Sequence, residues 1–501
     1  MKLYFSIIIL ILSAPSNAQN VLNRGNGSEP DSLNIHLAEG LNSHNILRDL
    51  YEGLMTVDAH GLPIYGAAIS HTATKNLWTF KLRKNALWSD GTSVVASDFL
   101  RGWHKAIQPE TAAPYAFLFD NLREKPKTIP EEALQVKVID DYTLQITLKQ
   151  HDAAFLEKLS LPIFYPLPKA TAKNHQIISN GSYQLKDWKT QEKITLQKNP
   201  HYYEYDAIYF DQVTYWVTED QSSELKRFRA NDLNITESIP DSQIKWIKQN
   251  LPEELRITPY LGSFFLGLNM SDKHLNNPLL RQALSLAIDR EILTEKVLKT
   301  GQKPANHIIP RSLTGDTTIY NVKSNKQLAQ LRLKESAVDI DNLTIEILYN
   351  NSENQKKVAL AISAMWRQTL GIKTRLLNQE WKVFVQSRKS KKRQAFRSGW
   401  IADYADALSF LELFTSQSRF NFYHYKNVDY DEIIKNLQST TDLTLRGSLI
   451  DKAENILLHD MPVIPLYYYV SRHLVSKGIL GYTDNISDRH LSKYLYKEDE
   501  Q

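Results

Sequence analysis

The most chemically suggestive stretch of this sequence runs from Phe396 to Tyr404. It places a glycine, a large aromatic ring and a carboxylate within five residues, at Gly399, Trp400 and Asp403. Such a carboxylate can hold a ligand's ammonium group, because a charged hydrogen bond strengthens when water is excluded. The neighbouring ring supplies apolar contact area. A lone aspartate after a tryptophan is more often structural, so the stretch alone leaves both interpretations open.

The remaining reactive side chains form no enzyme signature. The sequence has no Gly-x-Ser-x-Gly elbow, no His-Glu-x-x-His helix and no phosphate-binding loop. Its 14 histidines lack the spacing of metal ligands. We therefore expect no catalytic site, no metal and no cofactor. Two alternatives stay open: a secreted hydrolase whose catalytic residues come from distant positions, and a holdase whose aromatic cleft binds unfolded chains.

The beginning of the chain indicates export. A basic start is followed by an apolar run over residues 3–12 and by small residues up to Ala18, which is the pattern of a signal peptide. We expect residues 1–18 to be removed by cleavage after Ala18. The sequence contains no cysteine, so it offers neither a disulfide nor a lipid-modified anchor. The expected location is the periplasm, without membrane anchoring.

Size and charge limit the remaining possibilities. A chain of 501 residues exceeds the usual size of a single core, which predicts two or three lobes. The 60 basic and 56 acidic side chains leave a formal charge of only +4, so nucleic acid is not an expected partner. The basic run Lys389–Arg393 is interpreted as a solvated loop.

Helical and strand patterns alternate along the chain, which predicts an α/β fold. Asn277 followed by Pro278 predicts the start of a helix. The apolar spacing over Glu353–Leu370 predicts a second, longer helix. Ser97 is expected to cap a further helix, and Leu33–His36 to form a short strand.

Several segments, in order along the chain, resemble the peptide-type solute-binding proteins of ABC importers. The segments that carry the resemblance are Trp78–Arg83, Ala86–Phe99, Thr111–Ala116, Asn180–Trp188, Arg281–Arg290, Leu348–Asn350, Asn378–Lys382 and Pro465–Val470. The resemblance as a whole runs from about Asn23 to the C-terminal tail with few gaps, and it is strongest to the oligopeptide- and murein-peptide-binding members.

The resemblance implies a type II periplasmic-binding-protein fold. This is an α/β fold of three lobes in which the ligand lies in a cleft between lobes I and III. Lobe I is expected to combine residues 19–51, 173–261 and 471–501. Lobe II is expected over residues 52–172, and lobe III over residues 262–470.

The resemblance also implies roles for individual residues. Asp403 matches the carboxylate that receives the α-ammonium of a bound peptide. The segment Glu39, Gly40 and Leu41 matches a backbone segment that pairs with the extended peptide as an added strand, which tolerates many peptide sequences. The aromatic residues placed around the ligand are Trp400, Trp381, Tyr115 and Tyr469. The cations placed near the C-terminal end of the peptide are Arg388 and Arg397.

Some positions depart from the family pattern. Gln355 stands where the family has a histidine that can meet the carboxylate of a longer peptide, so the ligand length is left open. Phe265 replaces a cleft tyrosine and is expected to make a pocket more apolar. Gly262 and Ile401 occupy the two positions that carry a disulfide in a relative.

The expected function is capture of short peptides in the periplasm and their delivery to an inner-membrane ABC permease. We expect a monomer that is not an enzyme. The main alternative keeps the fold and changes the ligand to a murein tripeptide, heme or another charged small molecule.

Overall fold

The computed structural model describes residues 19–123, 134–169, 177–314, 323–440 and 442–498. The expected signal peptide, residues 1–18, lies outside these ranges. Within them, no helix combines the length and the apolar character needed to cross a membrane.

Helices and strands alternate along the described chain. The α-helices are α1 Leu41–Leu50, α2 Ala96–Ile107, α3 Phe155–Lys158, α4 Gln221–Arg229, α5 Ile244–Asn250, α6 Pro278–Leu286, α7 Arg311–Thr314, α8 Lys326–Glu335, α9 Glu353–Leu370, α10 Trp381–Ser387, α11 Leu408–Leu411, α12 Val428–Ser439 and α13 Leu443–Asp460. The strands are β1 Val21–Gly25, β2 Met55–Val57, β3 Pro63–Tyr65, β4 Ala68–Thr74, β5 Leu77–Leu82, β6 Val136–Asp140, β7 Thr143–Thr147, β8 Tyr183–Lys189, β9 Lys193–Lys198, β10 Gln212–Trp216, β11 Leu255–Leu268, β12 Lys303–Pro304, β13 Thr344–Asn350, β14 Lys373–Gln379, β15 Ala395–Ile401, β16 Val463–Leu474, β17 Ile479–Leu480 and β18 Tyr496–Lys497. The predicted α/β class is confirmed.

The larger sheets divide the chain by region. Strands β1, β10, β9 and β8 form one four-stranded sheet, and β4, β5, β7 and β6 form another. A six-stranded sheet has the order β12-β16-β11-β15-β13-β14. The first sheet joins an N-terminal strand to strands from residues 183–216, as a discontinuous lobe requires. The lobe boundaries themselves stay a prediction.

Two long strands connect the regions. Strands β11 and β16 pair antiparallel from Leu255 opposite Leu474 to Gly267 opposite Val463, with an irregularity between Pro259 and Ser263. One end of the pair belongs to the core of the six-stranded sheet. The other end packs through Leu474 against a separate apolar cluster formed by residues 225–247. Both strands therefore carry the chain between two cores.

Two helices follow their sequence signals. The side chain of Asn277 accepts hydrogen bonds from the backbone N–H groups of Leu279 and Leu280, which caps α6 as predicted. Helix α9 spans the predicted residues, and Trp366 on its inner face is fully buried. Gly371 ends α9 with a φ of 73°, a conformation that suits glycine.

Two local predictions are wrong. Residues 33–36 form no strand, because the Asn34 carbonyl accepts hydrogen bonds from Leu37 and Ala38 and thereby closes a turn. Helix α2 begins at Ala96 with Val95 at the N-cap, two residues earlier than a Ser97 cap requires. The side chain of Asp98 accepts a hydrogen bond from the Val95 backbone at 3.1 Å and supplies the cap instead.

Candidate functional site

The stretch singled out in the sequence forms the end of a central strand. Strand β15 pairs with β11, so that Ser263 lies opposite Trp400 and Gly262 opposite Ile401. The chain then leaves the sheet at Asp403, whose backbone N–H donates to the Ser409 hydroxyl at 3.3 Å. The strand end and the following turn thus hold this carboxylate at the edge of the sheet.

Gly399 is required by close packing. A Cβ at this position would lie 2.6 Å from the Tyr469 hydroxyl oxygen and 3.0 Å from the Ser263 carbonyl oxygen. Both distances are shorter than ordinary contacts. The absence of a side chain at Gly399 therefore lets Tyr469 lie directly over β15, the strand that leads to Asp403.

Asp403 and Trp400 line a cavity of about 530 Å³. One wall comes from residues 117–158 and the other from residues 400–446. In terms of the predicted lobes, this cavity lies between lobes II and III, whereas the resemblance implied a cleft between lobes I and III. Trp400 shapes the second wall, because its ring packs against that of Phe420 with 4.9 Å between centroids.

The carboxylate of Asp403 lacks a cationic partner in the described part of the chain. Lys158 forms its ion pair with Asp152 at 2.8 Å. Arg489 donates to the backbone carbonyl of Asp403 at 2.7 Å, and its charge lies 3.9 Å from Glu157. Burial raises the pKa of Asp403 to about 6, although Arg489 and Lys158 act in the opposite direction.

This raised pKa predicts a cost in stability. Because the folded pKa lies above the ordinary value of 3.8, folding favours the protonated acid, and stability is lost as the pH rises from about 4 through about 6. Asp403→Asn is therefore expected to raise the free energy of unfolding at about pH 7.5 by up to about 3 kcal/mol. At about pH 4 the variant and the wild type should be nearly equal. Urea unfolding at both pH values measures the difference, and a less stable variant at about pH 7.5 would contradict it.

Tyr115 connects residues from three parts of the chain. Burial raises the pKa of the Tyr115 phenol, and the negative charges of Asp403, Glu39 and Asp31 raise it further. These carboxylates therefore lie within electrostatic range of one hydroxyl group. The fold thus brings the predicted residues Tyr115, Glu39 and Asp403 into one neighbourhood.

The segment Glu39–Leu41 is partly occupied by the protein itself. The Asp31 carboxylate accepts the backbone N–H of Glu39 at 2.7 Å and that of Gly40 at 3.0 Å. The Gly40 carbonyl accepts hydrogen bonds from the first turn of α1. A peptide strand that pairs with this segment would therefore have to use the remaining groups, the Glu39 carbonyl and the Leu41 N–H, or displace Asp31.

A second group of predicted residues comes from strands β15 and β16 of the six-stranded sheet, from helix α9 and from the residue that follows α10. The guanidinium groups of Arg388 and Arg397 lie 5.9 and 5.7 Å from the centroid of the Phe384 ring. The Arg397 charge also lies close enough to Tyr469 to oppose the rise in its pKa that burial causes. Gln355 forms a hydrogen bond with Tyr467, which lies two residues before Tyr469 on strand β16. The structure thus brings both arginines, Gln355 and Tyr469 together.

Two predicted site residues stand apart. Phe265 has 0% exposure and packs against the rings of Phe414 and Tyr423. Strand alternation turns it to the core side of β11, so the prediction that it lines the cleft does not fit this placement. Trp381 begins α10, but its side chain lies outside what the structure describes.

One cluster has the residue types of a metal site. His473, Asp488 and His490 place their ligand atoms within 4.8 Å of one another. Nδ1 of His473 faces the Thr236 carbonyl at 3.0 Å and Nε2 faces Asp488 at 3.0 Å, as in a protonated imidazolium. The adjacent Asp488 raises the pKa of His473 to about 9 against the effect of burial. An ion pair between the His473 imidazolium and the Asp488 carboxylate accounts for this geometry without a metal ion.

Sequence reasoning missed four charged residues near Asp403, namely Asp152, Lys158, Glu412 and Arg489. They come from distant parts of the chain and belong to no shared motif. Only the tertiary structure shows that Asp152, Lys158 and Glu412 line the cavity and that Arg489 contacts the Asp403 backbone.

A model of the bacterial extracellular solute-binding proteins, family 5, matches residues 64–422. The chain belongs to this family. The match covers more than half of the sequence and includes the first wall of the Asp403 cavity and the part of the second wall up to residue 422. The predicted resemblance is therefore confirmed, and members of family 5 are solute-binding proteins.

Individual family 5 relatives match over nearly the whole length. The periplasmic oligopeptide-binding protein OppA of Escherichia coli is 36% identical, over 96% of this chain and 93% of that protein. The crystal structure of Haemophilus influenzae OppA in complex with RPPGFSPFR superposes with a TM-score of 0.84 at 33% identity, over 96% of this chain and 99% of that one. The Escherichia coli murein tripeptide-binding protein MppA superposes with a TM-score of 0.86 at 31% identity, over 96% and 98%. These structures confirm the predicted type II periplasmic-binding-protein fold.

Proposed function

We propose that this protein captures short peptides in the periplasm and delivers them to an inner-membrane ABC permease. The observation that carries the proposal is the Asp403 carboxylate, which lies on a large cavity and forms no ion pair within the described residues. A peptide's α-ammonium group would supply the missing charge. The cavity of about 530 Å³ has the size of a small-ligand site.

The two groups of site residues suit the two ends of a peptide. Asp403 and Tyr115 would receive the amino end, and Trp400 would cover the adjoining side chain. Arg388 and Arg397 would attract the carboxylate of a sufficiently long peptide, because guanidinium groups bind carboxylates through charged hydrogen bonds. The backbone between the ends would pair with the free groups of Glu39 and Leu41. The protein would act as a monomer after cleavage at Ala18.

A second candidate ligand is a murein tripeptide. The structural similarity to a murein tripeptide-binding protein favours it, and its free amino group would satisfy Asp403 in the same way. Heme and other charged small molecules would have to offer Asp403 a comparable cation.

Mass spectrometry of the ligand that co-purifies with the protein tests this proposal. The protein is isolated from a periplasmic extract, denatured, and its small-molecule fraction is analysed. Short linear peptides are the expected result, and a murein peptide would identify the second candidate. Calorimetry with trialanine then measures affinity on the emptied protein. A preparation that releases no peptide and binds none would contradict the proposal.

A further inference from the structure

The inner part of the Asp403 cavity contains more acidic groups than basic ones. Its wall includes the carboxylates of Asp152, Asp403 and Glu412 and the ammonium group of Lys158. Lys158 and Asp152 form an ion pair at 2.8 Å, with side chains only 14% and 12% exposed. Two carboxylates, Asp403 and Glu412, are therefore left for a single ammonium that already has a partner.

The other cations on the cavity wall are engaged elsewhere. Arg446 donates to both carboxylate oxygens of Asp406, at 2.7 and 2.6 Å. Arg419 is exposed at the rim, where it donates to the Pro114 carbonyl. Lys149 is also exposed, and its ammonium donates to the Asp120 carbonyl at 2.8 Å. Within the described residues, none of these cations pairs with Glu412.

Glu412 is held by neutral groups. Its carboxylate accepts hydrogen bonds from the Gln438 amide at 2.8 Å and from the Tyr404 hydroxyl at 3.4 Å. Burial raises the pKa of Glu412, and Lys158 lowers it, as Lys158 also does for Asp403. One ammonium is thus within electrostatic range of both acids. Tyr404, which follows Asp403 in the chain, also contacts Glu412 and keeps the two carboxylates in one compartment.

We propose that Glu412 forms a subsite for a basic side chain on the first residue of the bound peptide. This inference rests on the proposed peptide-binding function. The α-ammonium would neutralise Asp403, and the side-chain cation of an N-terminal lysine or arginine would neutralise Glu412. The chemical class that fits is a peptide with two cationic groups at its amino end. A partly buried charge left without a counter-ion is costly, so the second cation adds affinity.

Calorimetry with matched tripeptides tests the subsite. Wild-type protein at about pH 7.5 is expected to bind Lys-Ala-Ala about tenfold more tightly than norleucine-Ala-Ala, because the two differ mainly in the side-chain charge. Ala-Lys-Ala should show no such advantage over Ala-norleucine-Ala. In Glu412→Gln the preference for lysine at the first position should fall to within about twofold, with the norleucine peptide little affected. Glu432→Gln, an exposed change on α12, is the matched control and should keep the preference.

Three results would overturn the inference. Equal wild-type affinities for the lysine and norleucine peptides would exclude the subsite without any variant. Persistence of the preference in a folded Glu412→Gln protein would assign it to another group. A larger advantage for Ala-Lys-Ala would place the cation at the second residue. In each case trialanine still binds, whereas failure of all peptides to bind would refute the proposed function itself.

Discussion

Asp403→Asn is expected to weaken the binding of trialanine at about pH 7.5 by about 100-fold or more. Removing one partner of a desolvated ion pair leaves the other charge unpaired, which costs roughly 3–5 kcal/mol. Asparagine keeps the size of the side chain but cannot balance the α-ammonium. N-acetylated trialanine, which lacks that ammonium, should bind weakly to the wild type and equally weakly to the variant. Isothermal titration calorimetry on the four combinations isolates the contribution of the pair.

Asp429→Asn provides the control for this experiment. Asp429 is an exposed acid in the first turn of α12, so its replacement should change affinity very little. Equal affinity of the wild type for free and acetylated trialanine would refute the ammonium–carboxylate assignment. Asp403→Asn is expected to lower the affinity for peptide while it raises the stability of the empty protein. This combination identifies a ligand-binding acid, because replacing an acid with a structural role would lower both affinity and stability.

Arg489→Gln is expected to lower the free energy of unfolding by about 3 kcal/mol. Arg489 comes from the C-terminal tail and joins residues from two other regions, through a hydrogen bond to the Asp403 carbonyl and an ion pair with Glu157. The Arg489 and Glu157 side chains are only 7% and 11% exposed. Glu157 in turn accepts the Ala405 N–H at 2.8 Å. Without the Arg489 charge, the Glu157 carboxylate stays buried near the Asp406 carboxylate with less positive charge to balance it. This electrostatic penalty accounts for most of the expected loss of stability.

Lys477→Gln is the corresponding control. Lys477 pairs with Glu253 at 2.6 Å, but their side chains are 62% and 70% exposed. Water screens such a pair, so the expected loss is much smaller than for Arg489→Gln. Urea unfolding of both variants measures the contrast. A loss below about 1 kcal/mol for Arg489→Gln would show that the three-way contact does not stabilise the fold.

Local sequence signals predicted those features that depend on neighbouring residues. The Asn277 cap and helix α9 follow from side-chain hydrogen bonding and from apolar spacing within a single segment. The family followed from several such segments in a recognisable order. Local signals failed at two places. In residues 33–36 the backbone forms a turn instead of a strand, and at the start of α2 the Asp98 side chain accepts the backbone hydrogen bond that caps the helix in place of Ser97.

The sequence by itself determined the α/β class and the family, and it marked Asp403 and Trp400 as candidates. Only the tertiary structure decided what surrounds them. It places Asp152 and Lys158 opposite Glu412, uses Asp31 to occupy the Glu39 and Gly40 amides, and buries Phe265 in the core. These outcomes depend on contacts between residues far apart in the chain, and on how much water each charge loses. The spacing of residues within one segment specifies neither these contacts nor the loss of water.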